Sequence, residues 1–394
     1  MITKPSRVAG VTVLCGLLAV ALTGTAQADT NVGNNTTFAA VGSDTTQDVV
    51  EALSTVVTDG GNPVISNYKA TPVGRTITTR STPPAGSDCT FTVPRSSGEG
   101  RNALSAAMRG ASFAGGGGTA TPDASANMTG CVDVARSSAF GNPTTSPGVG
   151  TMTFVPFATD ALTYATRTST TRPKALNYNT LKAIYTANGT PGSTACLSSA
   201  PLLPASGSGT RSFWATFLGI TDAAIGTAGS WGTCVQDTKG GTPIQEHDGR
   251  VLTAANELVP FSVAQYIAQS TGVITDIRGT ASLGGIDFTS AGNATTNSVS
   301  PFVLNAESST ANPGFKGPNG NATRTVYNVV PTDLIDSTFT PPAGSSQIPI
   351  AFSQLARDTF VGPTSKICQA TSTIQRLGFG LVDNCGSTIT TNTN

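Results

Sequence analysis

Histidine is nearly absent from this 394-residue chain, in which His247 stands alone. With one imidazole and no Cys-x-x-Cys pair, a structural zinc site lacks its usual ligands. A serine hydrolase would have to use that histidine as its base. It lies in Glu246-His247-Asp248-Gly249 with no Gly-x-Ser-x-Gly elbow before it, so a secreted hydrolase is only a distant alternative. Charge is scarce as well: Asp, Glu, Lys and Arg make up 11% of the chain, and 22 basic residues balance 22 acidic ones. That balance leaves no basic footprint for nucleic acid or for an anionic membrane. After Leu22 no stretch approaches the roughly 20 apolar residues of a membrane span, so no membrane insertion is expected.

The first residues do carry an apolar run. Lys4 and Arg7 precede Val8 to Leu22, and Ala26-Gln27-Ala28 supplies small residues for cleavage, so 1–28 reads as a secretory signal peptide. Cys15 lies inside it, but Leu14 is too large for lipoprotein processing. The expected location is secreted or extracellular, or periplasmic if the host has an outer membrane. Six cysteines remain, an even number in an exported chain, which argues for three disulfides. Pairing neighbours closes the shortest loops: Cys89–Cys131, Cys196–Cys234 and Cys368–Cys385.

Three short turns rich in Ser, Thr and Gly each open an amphipathic helix: Gly42-Ser43-Asp44-Thr45-Thr46, Arg95-Ser96-Ser97-Gly98-Glu99-Gly100-Arg101 and Ser206-Gly207-Ser208-Gly209-Thr210-Arg211. The apolar residues behind them (Val49, Val50 and Leu53; Ala103, Leu104 and Ala107; Phe213, Trp214 and Phe217) follow helical spacing. A helix start leaves backbone N–H groups unpaired at the positive end of the helix dipole. Glycines and hydroxyls there let a tetrahedral anion approach those donors. Arg95, Arg101 and Arg211 flank the turns. Each turn taken alone also fits a plain N-cap.

Strand and helix signals alternate, predicting an α/β class. Phe38 to Val41 reads as a strand into the first turn, Cys131 to Ala135 as another, and Leu202-Leu203 as a third. Thr325 to Val330 and Ile348 to Phe352 are further strand candidates, and Cys368 to Leu377 is a helix candidate. Phe154-Val155-Pro156-Phe157-Ala158 and Leu258-Val259-Pro260-Phe261-Ser262 echo each other and could be two crossover strands between lobes. A proline in an apolar run suits an edge or linker strand. On that reading lobe 1 comprises 29–154 plus 262–394, and lobe 2 comprises 155–261. Ala111 to Thr129, with Gly115 to Gly118, reads as a surface excursion.

These residues resemble the periplasmic phosphate-binding proteins of ABC transporters, which have a two-lobe type II solute-binding fold with a central ligand cleft. Thr180-Leu181-Lys182-Ala183-Ile184-Tyr185-Thr186-Ala187-Asn188-Gly189 is similar to that family's helix before its insertion loop. Ser208-Gly209-Thr210 is similar to its phosphate-contacting turn, Thr45-Thr46 to its first turn and Ser96-Ser97-Gly98 to its second. The resemblance implies ligand contacts at Thr45, Thr46, Ser97, Ser208, Gly209 and Thr210. Ser43, Gly98, Arg101, Arg136, Ser137 and Arg211 join the candidates as neighbours of those turns.

Two departures stand out. Where the family has an Asp after a Gly-Ala-Ser stretch, this chain has Ser138, with Asp44 as a replacement acceptor or a plain N-cap. Where the family has an Arg four residues before the Ser of the third turn, Pro204 stands, with Arg211, Arg136 or Arg101 as substitutes. The resemblance implies a small inorganic oxyanion as ligand, phosphate favoured over sulfate, and an ABC permease as partner; no cofactor and a monomeric chain are expected. The alternative is a secreted binding-fold protein without a transport role, acting in adhesion, signalling or at the cell wall.

Overall fold

The computed structural model describes residues 29–113, 127–141, 151–288 and 322–390, except 171, 173, 174, 191, 337 and 339–349, plus short strand segments between 298 and 321. The expected signal peptide and most of the excursion from Ala111 to Thr129 lie outside the described residues. Among the described residues no helix is long and apolar enough to cross a membrane.

In chain order the elements that position the site begin with strand β1 (Phe38–Gly42), helix α1 (Gln47–Val56), β2 (Ile65–Asn67), α2 (Ser97–Arg109) and β3 (Val134–Ser137). Next come the long β4 (Met152–Arg167), β5 (Ala175–Asn177), α3 (Tyr178–Tyr185), α4 (Gly209–Leu218), β6 (Leu258–Ser262) and α5 (Val263–Ser270). They are followed by β7 (Ala281–Leu283), β8 (Gly285–Asp287), β9 (Thr323–Pro331), α6 (Ile350–Phe360), α7 (Lys366–Gln369) and α8 (Thr371–Arg376).

One sheet organises them, in the order β6-β4-β9-β3-β1-β2, with β7 also on β4. β2, β1 and β3 run parallel, whereas β9 is antiparallel to both β3 and β4. This mixed sheet, covered by helices, is the α/β class the sequence predicts. Both faces of β1 are buried: Phe38 and Ala40 enter one apolar cluster with α1, while Ala39 and Val41 enter another with α2. Burial on both sides explains its unbroken apolar run.

β4 passes from one core into the next. Val155 and Phe157 pack with α1, whereas Ala161, Leu162 and Tyr164 pack with Trp214 and Phe217 of α4. The two Val-Pro-Phe segments lie in β4 and β6 of this sheet. Pro156 sits opposite Tyr327, where β9 shifts register between Val326 and Tyr327, and β6 with Pro260 ends the sheet order. A bulge and an edge are the places where a missing N–H is tolerated.

Three expectations need correction. Residues 281–288 do not sit with lobe 1, because β7 pairs with the end of β4, β8 runs parallel to β5, and Ile286 packs in the second core. Ile350 to Phe352 open helix α6 rather than a strand, while residues 348 and 349 lie outside the described residues. The helical spacing of the buried pair Ala356 and Phe360 explains the difference, and Phe360 meets Phe38 edge-on at 5.3 Å. Leu202 and Leu203 make single bridging hydrogen bonds, to Leu258 and Gln236, rather than a strand. The helix expected from Cys368 to Leu377 is present but broken into α7 and α8 at Ala370. All three neighbour-paired disulfides are present.

Gly42 and Gly100 bring the first two turns together. Gly42 has φ +115°, and a Cβ added at Gly100 would fall 2.6 Å from the Cα of Gly42. The first turn of α2 therefore lies directly on the end of β1. Gly100→Ala should lower stability by about 1–3 kcal/mol through this overpacking, and an unchanged denaturation midpoint would contradict the contact. Beside β1, Glu51 of α1 is fully buried, with Oε2 accepting from Asn67 at 2.7 Å and Oε1 unpartnered. Burial pushes its carboxyl up from 4.5 to about 7, against the opposing Asn67 hydrogen bond. The folded state thus holds the proton that the unfolded chain releases, so stability falls as pH rises between those values. Relative to Glu51→Gln, the wild-type chain should lose up to about 2–3 kcal/mol across that window in denaturation curves.

Candidate functional site

The three turns converge. Ser97 Oγ, at the start of α2, accepts the Ser138 N–H at 3.0 Å and lies 3.1 Å from Ser138 Oγ just past β3. Gly209, at the start of α4, faces this serine pair so closely that a Cβ there would lie 2.7 Å from Ser97 Oγ and collide with Ser138 Oγ. Glycine is therefore required by the approach of α4 to α2. Ser96 and Ser208 cap their helices by accepting from the Glu99 and Arg211 N–H groups. Thr46 precedes α1 but makes no cap hydrogen bond through its side chain.

What the turns enclose is a carboxylate. Glu246 Oε2 accepts from Thr45 Oγ1 at 2.8 Å and from Thr210 Oγ1 at 2.6 Å, and it lies 3.2 Å from His247 Nε2. Both threonine hydroxyls in turn accept from Arg324 Nη2, at 3.3 and 3.1 Å. Arg324, on β9, is held by Asp160 of β4 through Nε at 3.1 Å and Nη2 at 2.9 Å. Asp160 Oδ1 also accepts the N–H of Ala264 at the start of α5. Two glutamines of α5 complete the frame: Gln265 donates to the Thr45 carbonyl at 2.7 Å, and Gln269 to the His247 carbonyl at 3.0 Å.

Several buried polar atoms here have no partner: Ser43 Oγ, Thr46 Oγ1, Arg324 Nη1 and Asp44 Oδ1. The adjoining cavity, lined in part by Asp44, Ser96, Ser208 and Glu246, measures about 20 Å³. That is enough for a single water.

Burial, then the neighbouring Glu246 charge, pushes the Asp44 carboxyl well above the usual range. Burial would raise Glu246 too, but the hydrogen bond from His247, the Arg324 charge and the Ser208 hydroxyl outweigh it and hold Glu246 well below the usual range. Asp44 is thus the member of the pair that carries a proton.

Asp44, Glu246 and His247 each bring one ligand atom within 4.8 Å of the others, the spacing of a metal-binding triad. The histidine tautomer argues against that use. His247 Nδ1 accepts the Ser262 N–H at 3.2 Å, so the ring proton sits on Nε2, which faces Thr45 and the carboxylates. A protonated Nε2 can neither ligate a metal nor take a proton from Thr45.

The structure places the predicted residues unequally. Thr45, Ser208 and Thr210 bond the central carboxylate, and Ser97, Ser138 and Gly209 meet beside it; Ser43 and Thr46 lie in the same first turn with unpaired hydroxyls. Gly98 sits against the Gly207 carbonyl of the third turn. Asp44 is neither cap nor surface residue, since its Oδ1 lies 3.8 Å from His247 Nε2. Three arginines are committed elsewhere. Arg136 is fully buried and donates to the Ala40, Gly42 and Ser43 carbonyls and to Asn67. Arg211 bonds Asp222, Asp237 and the Pro204 and Ala223 carbonyls. Arg101 donates to Ser137, whose hydroxyl donates on to the Ala139 carbonyl.

The cation among the cradle residues is Arg324, which sequence reasoning missed together with Asp160 and the central role of Glu246. A signal existed: Arg324 and Asp160 are lone charges inside the two apolar strands that become β9 and β4, and each demands a partner.

No protein-family model matches the chain, and no curated protein does. The chain is similar to solved structures of phosphate-binding proteins. An ABC-type phosphate transport receptor from Vibrio cholerae is 10% identical, with 88% of this chain and 100% of that chain covered and a TM-score of 0.40. A human phosphate binding apolipoprotein is 11% identical, with 88% and 91% covered and a TM-score of 0.45. PstS from Borrelia burgdorferi is 10% identical, with 88% and 98% covered and a TM-score of 0.36. Identities this low leave the binding chemistry to be read from this chain's own residues.

Removing the arginine side chain while leaving Asp160 buried should be costly. Arg324→Ala is expected to destabilise the fold by about 3–5 kcal/mol, and Arg324→Met with Asp160→Asn by clearly less. Equal losses in chemical denaturation would show that the pair is not the anchor of the site.

Proposed function

We propose that this protein is an exported solute-binding protein that captures a small inorganic oxyanion, phosphate ahead of sulfate, where the starts of α1, α2 and α4 converge. The observation that carries the reading is the set of unpaired buried donors, Ser43 Oγ, Thr46 Oγ1 and Arg324 Nη1, beside hydroxyls that already bind one anion. Three helix starts contribute at most about 3 kcal/mol, whereas micromolar affinity needs about 8. Hydrogen bonds to a charged group, at roughly 1.5–3 kcal/mol apiece, supply the difference after the entropic cost of association. Asp44 Oδ1 bears on the choice of phosphate: it carries a proton beside Glu246, and once it gives that proton up it accepts from a ligand that is itself protonated and repels sulfate. An ABC permease is the partner that fits this role.

A second reading is favoured by the Glu246 carboxylate itself. Its occupation of the cradle suits a binding fold that has left transport for a secreted adhesion, signalling or cell-wall role.

Calorimetric titration of the phosphate-stripped protein with phosphate and sulfate separates the two. Measurable phosphate binding that Ser208→Ala with Thr210→Ala weakens at least tenfold is the expected result. The phosphate-to-sulfate ratio should rise as pH rises, because Asp44 then gives up its proton and begins to repel sulfate. Absence of heat with either anion, in the wild-type chain and in Glu246→Ala alike, would remove the oxyanion reading and put the second one first.

A further inference from the structure

We propose that Glu246 is a built-in ligand of the cradle: its carboxylate occupies the anion position in the ligand-free protein and must withdraw before an external anion enters. The identity of that external anion rests on the oxyanion reading above, but the occupation by Glu246 does not.

Four observations carry it. Glu246 Oε2 is bonded by the hydroxyls of the first and third turns, the groups through which an inorganic anion would be held. The space left beside it, about 20 Å³, admits a water and no tetrahedral anion. Glu246 is not the structural counter-ion of the site, because Asp160 already takes two bonds from Arg324. A second set of donors, Ser43 Oγ, Thr46 Oγ1 and Arg324 Nη1, remains unpaired with Glu246 in place, so the cradle offers more donors than one carboxylate uses.

The segment bearing Glu246 is suited to movement. His247 holds φ +60°, a left-handed conformation unusual for a side chain of its size, and it is kept there by Ser262 and Gln269. On one side of the segment, Gly240 and Gly241 turn a two-residue hairpin with positive φ and open space around them. On the other side Gly249 is fixed, since a Cβ there would collide with the Arg278 carbonyl. A change at Gln245 to His247 can therefore withdraw the carboxylate while Gly249 stays in place.

The test compares wild type, Glu246→Ala and Glu246→Gln, each first checked for a folded thermal transition. Inorganic phosphate and sodium acetate are the two probes. Both variants should bind phosphate at least tenfold more tightly than wild type by calorimetry. Acetate, a detached carboxylate, should bind Glu246→Ala and raise its denaturation midpoint while leaving wild type unmoved. If Glu246→Ala takes acetate but neither variant takes phosphate, the built-in ligand stands and the oxyanion reading fails. If a folded Glu246→Ala shows no gain with either probe, the proposal is overturned. Should the alanine variant not fold, Glu246→Gln decides: phosphate affinity no tighter than wild type overturns it.

Discussion

Arg324 and Asp160 face each other in register across β9 and β4, both buried, and the rest of the site is arranged around that pair. An isolated buried charge is too costly to persist, so these strands are tied to one register. The same aspartate fixes the start of α5, whose glutamines hold the Thr45 and His247 backbones. Arg324 Nη2 then points at the two threonine hydroxyls, orienting their protons toward Glu246. The direction of every donation follows: guanidinium to hydroxyl, hydroxyl to carboxylate. Hydrogen bonds in such a chain polarise one another in a dry interior.

A second buried arginine has a different task. Arg136 gives its donors to carbonyls of β1 and the turn after it, which fixes the first turn from behind. Gly42 and Gly100 press the second turn against that same point, and Gly209 brings in the third. Convergence therefore comes from close approach at three glycines, while positive charge at the cradle is confined to one arginine. This suits a chain with so few charged residues. A local cluster of oriented donors can hold an anion without a basic surface.

Much of this was legible in the sequence. β1, α1, α2 and α4 follow from apolar periodicity and cap residues, which are local signals, and the three disulfides follow from the shortest loops. Thr45, Ser97, Ser208, Gly209 and Thr210 stand in turns that the sequence marks as helix starts within five residues, and the structure brings those turns together. Arg324 is not so marked, since its role depends on β9 lying beside β4, a pairing between segments about 160 residues apart. Arg136 and Arg211 stand beside turns in the sequence, but adjacency does not show which acceptors the folded chain has already offered them. In the sequence Glu246 is only the neighbour of the lone histidine. Its present role becomes visible only once Ser262 fixes the histidine tautomer.

That tautomer links the chemistry of the site to its affinity. With Nε2 protonated, His247 adds a donor to the cradle and removes a base and a metal ligand from it. A donor array whose only cation is Arg324, closed around a tethered carboxylate, is in effect a binding site occupied by its own chain. Its apparent affinity for any external anion is the intrinsic affinity multiplied by the fraction of time the carboxylate is withdrawn, so a carboxylate seated about 99% of the time weakens binding about a hundredfold. The seated state also satisfies buried donors that an empty cleft would leave unpaired, each at a cost of about 1–3 kcal/mol. The seated carboxylate therefore gives those donors an acceptor whenever no other anion is present.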